Sequence, residues 1–156
     1  MNIEDFIIEI EPQYHGFVLS LNDYLLNNGC KLKISTAKSG YLVSYQYGKK
    51  KYVLMNFVFR KSGLVARIYG NNAIKYIDIL ESLPESMKKS IHNAGSCKRF
   101  EDPPKCTPKC GGYVFNFEGT ELQKCRYFCF MFEVNDETGP FIRTLVEKEL
   151  EQRKAL

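Results

Sequence analysis

Apolar residues recur at steps of three and four along the segment 13–28, which is the spacing of one face of an amphipathic helix. This face carries Tyr14, Phe17, Val18, Leu21, Tyr24 and Leu25. Gly29 follows the segment and fits the left-handed position that ends many helices. The sequence therefore predicts a helix over 13–28. The apolar run over 3–10 fits either a short helix or an edge strand, and Pro12 bounds it.

A period of two replaces the helical period after the first helix. Short segments rich in β-branched and aromatic residues occupy 31–35, 41–47, 51–60 and 64–70. Turn residues such as Ser39-Gly40 separate them. The pattern predicts a four-stranded antiparallel meander. Its third segment is apolar on both parities, which predicts a central strand that is covered on both faces.

Helical spacing returns over 73–83, where Asn71-Asn72 offer an N-cap and Pro84 ends the pattern. A second short helix is predicted from there to Gly95, which again suits a helix end. Two consecutive helices are therefore expected after the meander.

The last third of the chain begins with an irregular loop over 97–112, which contains Pro103, Pro104 and Pro108. The segment 113–132 predicts a hairpin that turns near Glu118-Gly119-Thr120. Pro140 then fits the first turn of a closing helix.

Together these elements predict a single α+β domain over residues 1–156. We expect an antiparallel sheet made of the four-strand meander plus the C-terminal hairpin, flanked by helices. The composition agrees, because 44% apolar and 26% charged residues are typical of a globular chain that buries a core.

Charge and hydropathy limit the cellular compartments and the classes of partner that we expect for this protein. The net charge of +4 permits nucleic acid as a partner without arguing for it. The N-terminus is acidic where a secretion signal needs basic residues, and no run of about 18 apolar residues predicts a membrane span. We therefore expect a cytoplasmic protein with no membrane partner, in which cysteines stay reduced.

Cysteines are concentrated in the C-terminal half, where two C-x3-C pairs resemble the knuckles of a four-thiolate zinc site. If 124–132 is a strand, however, Cys125 and Cys129 lie about 13 Å apart and cannot share one ion. The predicted structural zinc site therefore comprises Cys97, Cys106, Cys110 and Cys125. Cys129 is then predicted to pack in the core.

Other uses of the cysteines stay open at this point. Free thiols can act as small apolar side chains that pack the loop onto the sheet. A disulfide could join Cys97 to Cys106 or to Cys110. A thiol-dependent enzyme or redox protein would use Cys106 or Cys110, with His92 at a helix end as a neighbour.

Tyrosines and arginines of the meander form a second group of candidates. Tyr45, Tyr47, Arg60 and Arg67 are predicted to line a cleft for a small molecule or a peptide. The same tyrosines and arginines would also suit a base-stacking and phosphate-binding surface. Tyr-rich strand faces are usually core with wet hydroxyl rims, so nucleic acid is not the partner that we expect.

Three sequence segments resemble known proteins. They are AKSGYLVSY over 37–45, NFVFRKSGLVARIYG over 56–70, and KCRYFCFMF over 124–132, which is preceded by CTPKCGGYVF. Together they resemble an uncharacterised bacterial family typical of Firmicutes, of about this length and with a cysteine-rich C-terminal part. The order of elements is also similar to small YdhG-like or YjbR-like α+β domains, some described as candidate iron chaperones or DNA-binding proteins. The resemblance implies the fold and no activity.

The function that these observations favour is a cytoplasmic binding or regulatory module for a small molecule, a peptide or a metal, with zinc as the one cofactor considered. Catalysis is not favoured, because no carboxylate or histidine arrangement supports it. A thiol-dependent enzyme is the alternative, and a nucleic-acid-binding module is a second one. The apolar faces of the terminal segments would serve a homodimer as well as a core.

Overall fold

The computed structural model describes residues 2–38, 40–107 and 109–156. Ser39 in the first predicted turn and Pro108 in the loop lie outside the described residues. The helices are α1 (Ile3–Glu9), α2 (Pro12–Asn27), α3 (Ile77–Glu81), α4 (Glu85–Asn93) and α5 (Gly139–Lys154). The strands are β1 (Lys31–Ala37), β2 (Gly40–Tyr47), β3 (Tyr52–Arg60), β4 (Gly63–Ile68), β5 (Tyr113–Phe117), β6 (Thr120–Lys124) and β7 (Met131–Glu133). Single 3₁₀ turns occupy Ala73–Tyr76 and Lys98–Phe100.

The predicted α+β class, with a meander and a hairpin, is confirmed. Strands β1, β2, β3, β4 and β7 lie side by side in that order, and each neighbouring pair is antiparallel. The sheet differs from the expected one in how the C-terminal segment joins it. The hairpin β5–β6 forms a separate two-stranded sheet, and only β7 extends the meander. On its other side, β6 forms a single bridge between Lys124 and Ser96.

Local capping interactions determine where α1 begins and where α2 ends. Asn2 and Asp5 form a capping box, with each backbone N–H donating to the side chain of the other residue. The ambiguous segment at the N-terminus is therefore helical. Gly29 follows α2 at a φ of 88°, as its predicted role requires. Asn72 makes no side-chain cap; its amide binds Glu149 instead.

The main sheet has two different faces. On the helix face, the Phe57 ring lies 6.2 Å from Phe6 of α1 and 6.3 Å from Phe17 of α2. The opposite face, called the polar face below, carries one row of paired residues across the sheet. That row is Lys33, Ser44, Asn56, Arg67 and Met131. Asn56 donates to the Ser44 hydroxyl at 2.7 Å, which satisfies both buried groups.

A buried lysine joins the hairpin to α4. Lys124 is 8% exposed, and its Nζ donates to the carbonyls of His92 and Ala94 at 2.7 and 2.8 Å. These carbonyls lie at the C-terminal end of α4, where a cation is favourable. The hairpin turns at Glu118-Gly119, both at positive φ (49° and 80°), which confirms the predicted turn.

The buried apolar side chains form one contiguous cluster that includes residues of both sheets and of α1 to α5. Within the described ranges, no helix is both long enough and apolar enough to cross a membrane.

Candidate functional site

The cysteine loop, residues 97–112, leaves and re-enters the fold beside β6. The Cys97 N–H donates to the Gln123 carbonyl at 3.0 Å, and the Cys125 N–H donates to the Gly95 carbonyl at 2.9 Å. Cys97 is 5% exposed and packs against Gly112 so closely that a Cβ at position 112 would lie 2.9 Å from the Cys97 Cβ. The cysteines are free thiols.

Two thiols of the predicted zinc set, Cys106 and Cys125, act on the pKa of a third, Cys110. The pKa of Cys110 is raised first by burial and next by a hydrogen bond and the charge of the Cys106 thiol. The Cys125 thiol raises this pKa further, while the nearby guanidinium of Arg126 lowers it. Among the other thiols, Cys106 has the largest effect on Cys110.

No group of three or more His, Cys, Asp or Glu side chains is arranged to hold a metal ion in the part of the chain that the structure describes. Cys97, the fourth predicted ligand, is buried against Gly112 rather than being partly exposed like the other three. The zinc site stays a prediction.

The strand considered over 124–132 is interrupted by a turn at 126–130. The carbonyl of Cys125 accepts hydrogen bonds from the N–H groups of Phe128 and Cys129 at 3.1 and 2.9 Å, as in a helical turn. The strand separation of about 13 Å used to exclude Cys129 therefore does not apply here. Cys129 has no exposed surface and packs in the hydrophobic core, and this burial raises its pKa.

On the polar face, the 126–130 turn brings Arg126 and two aromatic rings next to Arg67 of β4. Arg126 lies 5.2 Å from the Tyr69 ring and 5.7 Å from the Tyr127 ring. Arg67 lies 5.9 Å from Tyr127 and 6.0 Å from Phe128, and its Nε donates to the Tyr127 carbonyl at 2.7 Å. We call these five side chains the arginine–aromatic ladder. Its contacts fix the turn to β4.

A cleft of about 630 Å³ lies between α4 and β7, the last strand of the main sheet. Its lining comprises Arg60, Ser62, Val65, Ser86, Met87, Lys89, Ser90, Asn93, Phe128, Met131, Phe132, Glu133, Asn135 and Thr138. The Ser90 hydroxyl spans the two elements by donating to the Met131 carbonyl at 3.1 Å. Phe128 belongs both to the cleft and to the ladder.

The four predicted ligand-binding residues are divided between the two faces of the sheet. Tyr45 is fully buried on the helix face, where its hydroxyl donates to Asn22 at 2.8 Å. Tyr47 shares that face, because it lies two positions further along the same strand. Arg60 lines the cleft, and Arg67 belongs to the ladder. The structure thus brings the arginines near one surface and the tyrosines to another.

Both histidines have partners other than cysteine. One ring nitrogen of His92 lies 3.0 Å from the Glu118 carboxylate, and one of His15 lies 3.0 Å from the Ile10 carbonyl. The pKa of Glu118 is lowered by its hydrogen bonds to His92 and Lys88. These contacts link the hairpin turn to α4 and indicate a structural use of His92.

The sequence pattern did not identify the residues of α4 that line the cleft or the residues of the 126–130 turn that form the arginine–aromatic ladder. The adjacent Arg126, Tyr127 and Phe128 were available as a signal, since a basic residue followed by two aromatic ones suits a binding surface. This signal is lost when the segment is predicted to be a strand, because neighbouring side chains of a strand lie on opposite faces of the sheet. No local signal marks Ser90 and Lys89.

No family model, curated protein or solved structure matches the chain. The resemblance to a Firmicutes family and to YdhG-like or YjbR-like domains therefore stays a prediction.

Proposed function

We propose that the protein is a small-molecule-binding module and that the α4–β7 cleft is its ligand site. The observation that carries the proposal is the lining of the cleft, in which the apolar residues Val65, Met131 and Phe128 are accompanied by hydroxyl, amide and basic groups. Small-molecule sites combine such an apolar surface with a few placed polar groups, in volumes of about 300–1,000 Å³.

The charges of the cleft favour an anionic ligand. Arg60 and Lys89 are its basic side chains, and Glu133 is its acidic one. A carboxylate or phosphate on the ligand would gain charge-assisted hydrogen bonds from the two basic groups. The apolar part of the ligand would pack on Phe128, whose ring is 48% exposed.

We propose binding rather than catalysis because the surroundings of Cys110 and His92 favour a structural role for these side chains. A raised Cys110 pKa keeps that thiol protonated at neutral pH, whereas a catalytic cysteine needs an accessible thiolate. His92, the candidate base, is engaged by Glu118.

The proposal includes a structural zinc ion held by Cys97, Cys106, Cys110 and Cys125. Its support is the effect of Cys106 and Cys125 on the pKa of Cys110, together with a loop whose two ends, at Cys97 and Tyr113, both pair with β6. Zinc would bind thiolates and would fix the loop to the start of the 126–130 turn. Because this turn carries Phe128, the metal would also fix one wall of the cleft.

The cleft is tested with 8-anilinonaphthalene-1-sulfonate, an anionic aromatic probe, added to the folded protein. We expect probe-induced amide NMR shifts concentrated in α4 and β7, and weaker binding in Lys89→Gln and in the cleft-filling variant Ser90→Leu. Ser35→Leu, an exposed change on β1, is the matched control. Shifts concentrated elsewhere, or equal binding by the cleft variants, would contradict the proposal.

The metal is tested by elemental analysis of protein purified without added zinc. We expect about one zinc per chain, which is lost in Cys110→Ser and retained in the control Cys30→Ser. Metal-free protein whose six thiols all react with a thiol reagent after unfolding would refute the zinc site.

A further inference from the structure

The two arginines of the ladder stand beside the same ring, Tyr127, and neither has an acidic partner among the residues that the structure describes. Among the described residues, no ion pair includes Arg67 or Arg126. The Nε of Arg126 is buried and has no hydrogen-bond partner in that part of the chain. Two like charges held near one ring repel each other, and a bound anion would relieve this repulsion. The arrangement therefore suits an anionic ligand.

The aromatic side chains of the ladder place a second requirement on the ligand. Tyr127 and Phe128 are 45% and 48% exposed, although each ring also contacts Arg67. Exposed rings beside guanidinium groups are suited to stacking planar, unsaturated rings. A ligand that fits both features has anionic groups and flat rings in alternation.

The polar face carries a further exposed basic residue at a distance from the ladder. Arg67 belongs to the row that crosses the sheet through Asn56 and Ser44 to Lys33. With strands about 4.8 Å apart, Lys33 lies about 14 Å from Arg67. Lys33 is exposed and has the same strand parity as the exposed Lys31. Basic groups therefore occur at both ends of this row, while Asn56 and Ser44 between them are buried.

From these observations we infer that the ladder forms a binding surface for single-stranded nucleic acid, with Lys33 as a second phosphate-binding group. Phosphates bind the guanidinium and ammonium groups, and bases stack on Tyr127 and Phe128. A duplex is disfavoured because its bases are already stacked inside. The surface is independent of the proposed cleft ligand, except that Phe128 contributes to both.

Fluorescence anisotropy with labelled oligothymidylate and oligouridylate tests the inference. We expect Tyr127→Ala or Phe128→Ala to weaken binding roughly 5- to 150-fold, the range for loss of one base–aromatic stack. Arg126→Gln should reduce the slope of log affinity against log salt by about 0.7, because one phosphate contact is lost. Lys148→Gln removes a charge from α5, which packs on β3 and β4, and should leave binding unchanged.

Thermal unfolding of each variant separates loss of binding from loss of fold. Phe128→Ala is the safer probe, since its ring is exposed, whereas the Arg67 side chain holds the 126–130 turn. Lys89→Gln in the cleft should retain oligonucleotide binding, so the two proposals fail separately. The inference is overturned by folded ladder variants that bind as the parent does. It is also overturned if poly-glutamate or a duplex binds as tightly as the single strand.

Discussion

Glu149 has no exposed surface, and its carboxylate accepts a 2.9 Å hydrogen bond from Nε of Arg153 one helical turn away. The carboxylate also accepts hydrogen bonds from the Asn72 N–H, the Asn72 amide and the Tyr76 hydroxyl. The other Arg153 nitrogens donate to the carbonyls of Val53 and Tyr69 at 3.0 and 2.8 Å. This pair therefore ties α5 to the 3₁₀ turn after β4 and to the ends of the central strands β3 and β4.

Neutralising this carboxylate should destabilise the protein strongly. Glu149→Gln leaves the Arg153 charge, 8% exposed, without its counter-ion. Breaking a buried pair from one side typically costs about 3–5 kcal/mol. Urea unfolding is the measurement, and Glu151→Gln is the control, because its pair with Lys148 is exposed and is worth less than ~1 kcal/mol. Equal stability of the two variants would show that the buried pair is not needed.

Removing the Lys124 ammonium should loosen the hairpin from α4. Lys124→Met keeps the apolar stem but leaves the carbonyls of His92 and Ala94 without their donor. We expect a loss of about 1–3 kcal/mol in the free energy of unfolding. Lys105→Met, at a 69% exposed side chain, is the control and should change stability by less than ~0.5 kcal/mol.

A methyl group at position 112 should clash with Cys97. In Gly112→Ala the added Cβ would meet the Cys97 sulfur and would lie 3.1 Å from the Lys124 carbonyl. Gly111→Ala is a matched control, because a Cβ there meets nothing within 4 Å. Combining Gly112→Ala with Cys97→Ala should restore part of the loss, with a coupling energy of about 1 kcal/mol by thermal unfolding. Simple additivity would argue against the clash.

Alkaline pH should destabilise the protein partly through Cys30. Burial raises the pKa of this 5% exposed thiol from 9.0 to about 11. Between these two values the unfolded chain has lost the proton that the folded chain keeps, so stability falls as pH rises. Below pH 9 the contribution is fully present. Urea unfolding from pH 8 to 11 should show a shallower decline for Cys30→Ala than for the parent, and parallel curves would contradict the assignment.

Local patterns predicted the elements whose partners are near in sequence. The three-and-four spacing of α2 ended by Gly29 is a complete local signal, and so is the Glu118-Gly119 turn between β5 and β6. The order of the first four strands followed from the short turns between them. These features need no information from distant residues.

The candidate surfaces depend on distant partners, which the sequence does not specify. Arg67 of β4 meets Tyr127 only because the chain returns to the sheet about sixty residues later. Likewise, the parity of one strand shows which residues share a face, but not that Tyr45 and Arg67 face opposite ways. That relation depends on the register between strands, including the irregularity after Tyr45.

The late return of β7 has a consequence for the order of folding. Each contact among β1 to β4 closes a short loop, whereas pairing β7 with β4 must close a loop of about sixty residues, at a larger entropic cost. We expect the meander and the β5–β6 hairpin to form before this long-range closure. The cleft and the ladder both lie at the β4–β7 junction, so neither exists until the closure is complete. Ligand binding at either surface would therefore report the final step of folding.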